Sequence, residues 1–188
     1  DLLQQAPLRH TPQAQSSPLE MSFPLPDGSS RTFRLVEAPV MSPALAAKYP
    51  GMRSFAGSCR EDGTAYLRFG YTHKGLHAVI FSGKHPTVYI DAYAPGQNRL
   101  HQAYYRKDYP GIKDNDFQCL LKGGLNGEKN AAQTGSEELA AGDCLLRSYR
   151  LALACTGEYA TFHGGNVMDV MAEYNVAMTR VNGIYERD

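Results

Sequence analysis

The chain has 188 residues, 43% of them apolar, which is enough for one ordinary domain with a hydrophobic core and part of another. Lysine plus arginine equals aspartate plus glutamate, at 19 each, so charge gives no reason to expect nucleic acid or an anionic membrane as a partner. No run of about 18 apolar residues occurs, and no membrane span is predicted. The N-terminal residues lack the basic start and apolar centre of a secretory signal.

Short β-strands are predicted from Leu19 onward. Apolar residues alternate before and after a Pro-Asp-Gly turn at 26–28, which is typical of a β-hairpin. Ser42 as N-cap and Pro43 at the first helical position predict a short helix over 43–49. Further strands separated by turn residues are predicted in "MRSFAGS", "TAYLRFG", "LHAVIFS", "PTVYIDAY", "LHQAYYRK" and "DFQCLL". This spacing favours an antiparallel meander, closed as a sandwich or a barrel-like sheet.

Residues 122–143 differ in composition from the strands before them. They are rich in glycine and poor in large apolar residues, which predicts an exposed linker that proteases cut easily. We therefore divide the chain into a β domain at 1–121, a linker at 122–143 and a C-terminal unit at 144–188. The predicted fold class is α+β.

The C-terminal unit is predicted to be a strand, a glycine-rich turn and a helix. The apolar run "LLRSYRLALAC" predicts a buried strand at about 147–155, which needs a partner for its edges. Asn166 is a good N-cap, and Asp169 three residues later approximates a capping box. Apolar residues then recur every three or four positions and define one helical face: Val167, Val170, Met171, Tyr174, Met178, Val181 and Tyr185.

The segment "RSYRLALACTGEYATFHGGNVMDVMAEYNVAMTRVNGIYERD" resembles the start of the catalytic domain in bacterial reprolysin-like zinc metallopeptidases. Upstream, "TFRLVEAPVMSPALAAKYPGMRSFAG" and "TVYIDAY" resemble the propeptide that precedes that domain. The resemblance extends over roughly residues 17–188. It implies a propeptide followed by the first strand and helix of an α/β peptidase domain, with the remainder of that domain as the main partner.

The resemblance implies zinc in the full-length enzyme, but the family's zinc motif, H-E-x-x-H-x-x-G-x-x-H, does not occur in this sequence. We expect no zinc in this chain alone and no catalytic residue within it. The histidine pair His73 and His77 is four residues apart, but Lys74 replaces the required glutamate and Gly75 disfavours a helix. We interpret the two histidines as structural.

Cys119 is the candidate metal ligand. In the reprolysin class a propeptide thiolate can occupy the open position of the catalytic zinc, and the resemblance implies this inhibitory role for Cys119 once the catalytic domain is present. The segment lacks the P-K-M-C-G-V type motif of animal relatives. A disulfide with Cys59 or Cys144, or a buried thiol, are the alternatives.

The sequence therefore favours the N-terminal part of a secreted or periplasmic zinc metalloendopeptidase precursor, in which the propeptide inhibits and assists folding. The alternative is a free-standing extracellular β-rich binding module, with Tyr104 and Tyr105 on a ligand surface. Self-association through the 147–155 strand is a further expectation. Neither nucleic acid nor a membrane is an expected partner.

Overall fold

A computed structural model describes residues 2–94, 97–109 and 149–187. The chain divides into two compact units. The first contains residues 1–109 and 156–188, and the second contains residues 110–155. The predicted linker at 122–143, the strand predicted in "DFQCLL" and Cys119 all lie outside the described residues.

Seven antiparallel strands form a half-barrel in which each strand pairs with the next along the chain, so β1 and β7 are the two edges. The strands are β1 Glu20–Pro24, β2 Ser30–Glu37, β3 Arg53–Cys59, β4 Tyr66–Thr72, β5 Gly75–Phe81, β6 Val88–Ala92 and β7 His101–Tyr105. The predicted mostly antiparallel meander is confirmed. Within the described residues, the sheet is open between β1 and β7 instead of closing as a barrel.

The inner face of the half-barrel carries an aromatic core. Alternating strand residues point inward, as the two-residue period of a strand requires. Phe55 and Phe69 are opposite each other on β3 and β4, with ring centroids 4.8 Å apart, and Phe23 of β1 contacts Phe69 at 5.4 Å. The buried residues of this cluster all lie between Ala6 and Ile90. The half-barrel therefore closes its core without any residue of the C-terminal helices.

Three α-helices accompany the sheet: α1 Pro43–Ala46, α2 Gly157–Phe162 and α3 Val167–Arg187. The predicted N-cap of α3 is confirmed, since the amide of Asp169 donates to Asn166 Oδ1 at 2.9 Å. Short 3-10 segments lie at Leu2–Gln5, Pro12–Ser16 and Arg106–Asp108. No helix within the described ranges is long and apolar enough to cross a membrane.

The segment 149–165 differs from its prediction. Residues 149–155 contain no strand, and Tyr149 and Leu151 are 85% and 62% exposed. The predicted strand is therefore wrong over these residues, because an extended apolar run becomes a strand only where a neighbouring strand binds its backbone groups. The predicted turn at 156–165 contains helix α2, which Thr156 caps. Gly164 and Gly165 form the turn before α3, with φ of 109° and 72°.

Helix α3 lies across β3, β4 and β5 on the outer face of the half-barrel. The approach is close at two glycines. A Cβ on Gly70 would lie 2.9 Å from Asn175 Nδ2, and a Cβ on Gly183 would lie 2.8 Å from Phe81 Cε2. Small and polar residues of α3 fill the space between them, including the buried Ala172 and Thr179.

We predict that Gly183→Ala destabilises the protein by about 1–2 kcal/mol, because the methyl group overlaps Phe81 and Arg68. Helix propensity alone would have the opposite effect, a gain of about 1 kcal/mol. Urea denaturation followed by circular dichroism measures the sign. Ala177→Gly, at an exposed position of α3, is the control that reports propensity alone. A more stable Gly183→Ala variant would contradict the close approach.

Candidate functional site: the charged interface between the sheet and helix α3

All four charged residues between positions 167 and 186 face the half-barrel and form ion pairs. They are Asp169, Glu173, Arg180 and Glu186. We call these pairs, with their partners, the α3 clamp. A surface helix normally presents its charges to solvent and its apolar residues to the protein. Helix α3 has the opposite arrangement, so the clamp is the feature of this chain that most needs a functional explanation.

Asp91 on β6 forms the centre of the α3 clamp. Its Oδ1 accepts from His77 Nδ1 on β5 at 2.7 Å and from the guanidinium of Arg180 on α3. Its Oδ2 accepts from the hydroxyl of Tyr104 on β7 at 2.7 Å. The guanidinium of Arg180 also lies 5.0 Å from the centroid of Tyr89. One carboxylate thus joins strands β5, β6 and β7 to the helix.

The donors around Asp91 determine its protonation. Burial alone would raise the pKa of Asp91, but the hydrogen bond from His77, the positive charge of Arg180 and the hydroxyl of Tyr104 together lower it to about 2. Burial and the hydrogen bond to Asp91 raise the pKa of Tyr104 above its usual value. The cluster therefore holds a charged carboxylate and a neutral phenol at neutral pH.

The N-terminal end of α3 is held by a second group of charges. Asp169 Oδ1 lies 2.6 Å from His73 Nε2 and 3.9 Å from Lys74 Nζ. Glu173 lies 3.2 Å from Lys74 Nζ and 3.6 Å from His163 Nδ1, and Lys74 also donates to the carbonyl of His163 at 3.1 Å. The hydrogen bond from His73 and that from Asn166 lower the pKa of Asp169. Cations of the β4–β5 turn thus meet anions of the helix.

The C-terminal end of α3 contacts a buried arginine. Arg68 on β4 is only 1% exposed, and its Nε lies 3.6 Å from Glu186 Oε2. Glu186 also accepts from Arg9 and from the hydroxyl of Tyr66. Burial lowers the pKa of Arg68, and the charge of Glu186 opposes that shift. The side chain of Glu186 is thus the counter-ion of two arginines.

The side of α3 away from these contacts is apolar. The seven residues of the predicted helical face form this apolar stripe: Val167, Val170, Met171, Tyr174, Met178, Val181 and Tyr185. Val167, Val181 and Tyr185 are 69%, 37% and 80% exposed. Tyr174 stacks on Tyr159 of α2, with centroids 6.0 Å apart. The residues of the stripe share a face as predicted. Val170 is the one buried residue among these seven, and most of the face does not pack on the sheet.

The two described cysteines, Cys59 and Cys155, take no part in the α3 clamp. Cys119, the candidate inhibitory ligand, lies outside the described residues. Cys59 is a buried free thiol that donates to Glu61 at 3.2 Å, and Cys155 is free and exposed. Burial, followed by the hydrogen bond to Glu61, raises the pKa of Cys59. Within residues 2–94, 97–109 and 149–187, no three His, Cys, Asp or Glu side chains are arranged to hold a metal ion.

The remaining candidate residues have structural contacts. His73 and His77 do not converge on one site, since His73 contacts Asp169 and His77 contacts Asp91. The hydroxyl of Tyr104 is used by Asp91, and the ring of Tyr105 lies 5.5 Å from Lys107 Nζ.

The sequence analysis missed the α3 clamp. His77, Asp91 and Arg180 are far apart in sequence, and no motif spacing links them. One signal was present in the sequence of α3. Its charged residues at 169, 173, 180 and 186 recur at helical spacing and fall on one side, opposite the apolar stripe. Such segregation predicts two different partners for the two sides of the helix.

Comparison with known proteins finds no matching family model, no matching curated protein and no matching solved structure.

Asp91→Asn should destabilise the protein by about 2–3 kcal/mol, because His77, Tyr104 and Arg180 would lose a part-buried charged acceptor. Urea denaturation at neutral pH measures the loss. Glu20→Gln is the matched control, since Glu20 forms only the exposed pairs to Arg34 and Arg60, and should change stability by less than about 1 kcal/mol. Equal small losses in both variants would show that the Asp91 cluster contributes no more than a surface pair.

The stability gap between wild type and Asp91→Asn should depend on pH. Folding lowers the pKa of Asp91 from its usual value of 3.8 to about 2, so the unfolded state binds more protons between these values. The contribution of the carboxylate is complete above about pH 4 and is lost as the pH falls towards about 2, amounting to about 2 kcal/mol. Urea midpoints of both proteins across this range test the prediction. A gap that stays constant with pH would contradict it.

Proposed function

We propose that this chain is the N-terminal part of a secreted zinc metalloendopeptidase precursor. In this proposal the half-barrel is an inhibitory and folding-assisting propeptide, and residues 144–188 begin the catalytic domain. The chain by itself carries no catalytic residue. The missing zinc motif would lie in the remainder of the precursor.

The observation that carries the proposal is the set of exposed apolar residues on the stripe of α3. Val167, Val181 and Tyr185 are exposed, and no charged residue interrupts the stripe. A stripe of this width is typical of a helix that packs against a layer of its own domain. Exposed apolar patches also mark surfaces that another partner covers. A catalytic-domain helix awaiting the rest of its sheet would present such a face.

The apolar segment 149–155 gives independent support. Tyr149 and Leu151 are exposed, and the segment has no strand partner among the described residues. Parallel strands buried between helix layers have continuous apolar sequences of this kind. We propose that this segment becomes a strand when the remainder of the domain supplies its neighbour.

Inhibition through Cys119 is part of the proposal. A zinc ion bound by the remainder of the precursor would supply Lewis-acid chemistry, and the described residues by themselves offer no site for it. The contribution of this chain would be one thiolate ligand. The chain alone is expected to bind no stoichiometric zinc, because one thiolate is far from the four ligands of a structural site.

The experiment compares the complete precursor with its Cys119→Ser variant. Serine is a poor, mostly protonated ligand, so the variant should process itself faster or cleave a peptide substrate before processing. Cys59→Ser is the control, since Cys59 lies in the half-barrel and donates to Glu61. Equal latency in both variants would mean that steric blocking, rather than metal ligation, inhibits the enzyme. A coding sequence that stops after Asp188, or continues without a zinc motif, would overturn the precursor proposal itself.

A second candidate is the free-standing β-rich binding module. Its supporting observation is the aromatic core, which the half-barrel closes without α3. This alternative gives no role to the exposed Val167, Val181 and Tyr185, so the precursor is the better proposal. The coding sequence after Asp188 distinguishes the two candidates, because only the precursor requires a zinc motif there.

A further inference from the structure

The two sides of α3 differ in the kind of partner they fit. On the sheet side, Asp169, Glu173 and Glu186 of the helix lie within ion-pair distance of Lys74, Arg68 and Arg9, and Arg180 lies against Asp91. Each of these four charges is thus matched by an opposite one. Charge matching of this kind directs specificity and the rate of association between separate molecules.

The sheet side also lacks the large apolar contacts of a permanent interface. Among residues of α3, the buried apolar side chains are Val170, Ala172 and Val176, and the closest contacts are at Gly70 and Gly183. Interfaces that last for the life of a protein are more hydrophobic than those that form and separate. The core cluster of the half-barrel contains no residue of α3.

We propose that the outer face of the half-barrel is a releasable receptor for the charged side of helix α3. The half-barrel and the helix stay associated through the α3 clamp after the chain between them is cut, and they separate when the clamp is weakened. The significance of this surface for the propeptide rests on the proposed function: the half-barrel would hold the first catalytic helix by its charged side and leave Val167, Val181 and Tyr185 exposed towards the rest of the domain.

The test uses the whole chain with a specific protease site introduced within residues 122–143. After cleavage, size-exclusion chromatography at neutral pH should recover both pieces in one peak. Raising the salt from about 0.1 M to about 1 M reduces the Debye length from about 10 Å to about 3 Å and should shift the pieces towards separation. Pieces that separate at once in low salt would overturn the proposal.

Three variants introduce glutamine on the two different sides of α3. Glu173→Gln and Arg180→Gln remove charges from the clamp, whereas Val181→Gln changes the apolar stripe. Each clamp variant should weaken the association of the cut pieces by about tenfold, since each removes one partner of a part-buried charge pair. Val181→Gln should leave the association within about threefold of the parent, because exposed changes rarely exceed 0.5 kcal/mol, about a factor of two to three.

Fluorescence anisotropy of a labelled helix piece on dilution measures the dissociation constants. All three substitutions lie in the helix piece, so the fold of the half-barrel is unchanged between the samples. Equal affinity for all variants, or loss of binding only in Val181→Gln, would overturn the proposal. The experiment needs no zinc and no catalytic domain, so its failure is distinct from failure of the precursor proposal.

Discussion

The close approach of helix α3 to the sheet constrains the rest of this structure. Where a Cβ would lie within 3 Å of its neighbours, at Gly70 and Gly183, no larger side chain fits between helix and strand. The sheet side of α3 is therefore small and polar at its centre, with charged side chains along it. The large apolar residues of the helix are displaced to the other side. This steric requirement explains why the charged residues of the helix lie towards the sheet and several of its large apolar residues lie towards solvent.

The two faces of the half-barrel consequently differ in their energetics. The inner face buries stacked phenylalanines and supplies most of the apolar burial that stabilises the sheet. The outer face carries Arg68, His77 and Asp91, and such charges gain little over water unless each is paired. The inner face thus supplies apolar burial, whereas the outer face supplies the paired charges and close contacts that hold helix α3. This division allows the outer contact to be weakened without unfolding the sheet.

The elements of secondary structure that depend on local sequence pattern were predicted from the sequence. Alternation and turn residues predicted the seven described strands, and helical spacing with Asn166 predicted α3, because these signals act within a few residues. The prediction failed at 149–155, where a strand requires a partner that local sequence does not supply. Periodicity identified which residues of α3 share a face but not what that face contacts. The Asp91 cluster depends on pairing between strands that are distant in sequence. The segregation of charges along α3 was the one local signal that this side of the helix contacts a charged surface.

The buried thiol of Cys59 has a consequence for oxidation. Disulfide exchange requires a thiolate, and burial together with the hydrogen bond to Glu61 favours the protonated form of this cysteine. In an oxidising compartment Cys59 should therefore react slowly with a second sulfur. The half-barrel can therefore fold in such a compartment without Cys59 forming a disulfide with another cysteine of the chain. Thiols at other positions would react first.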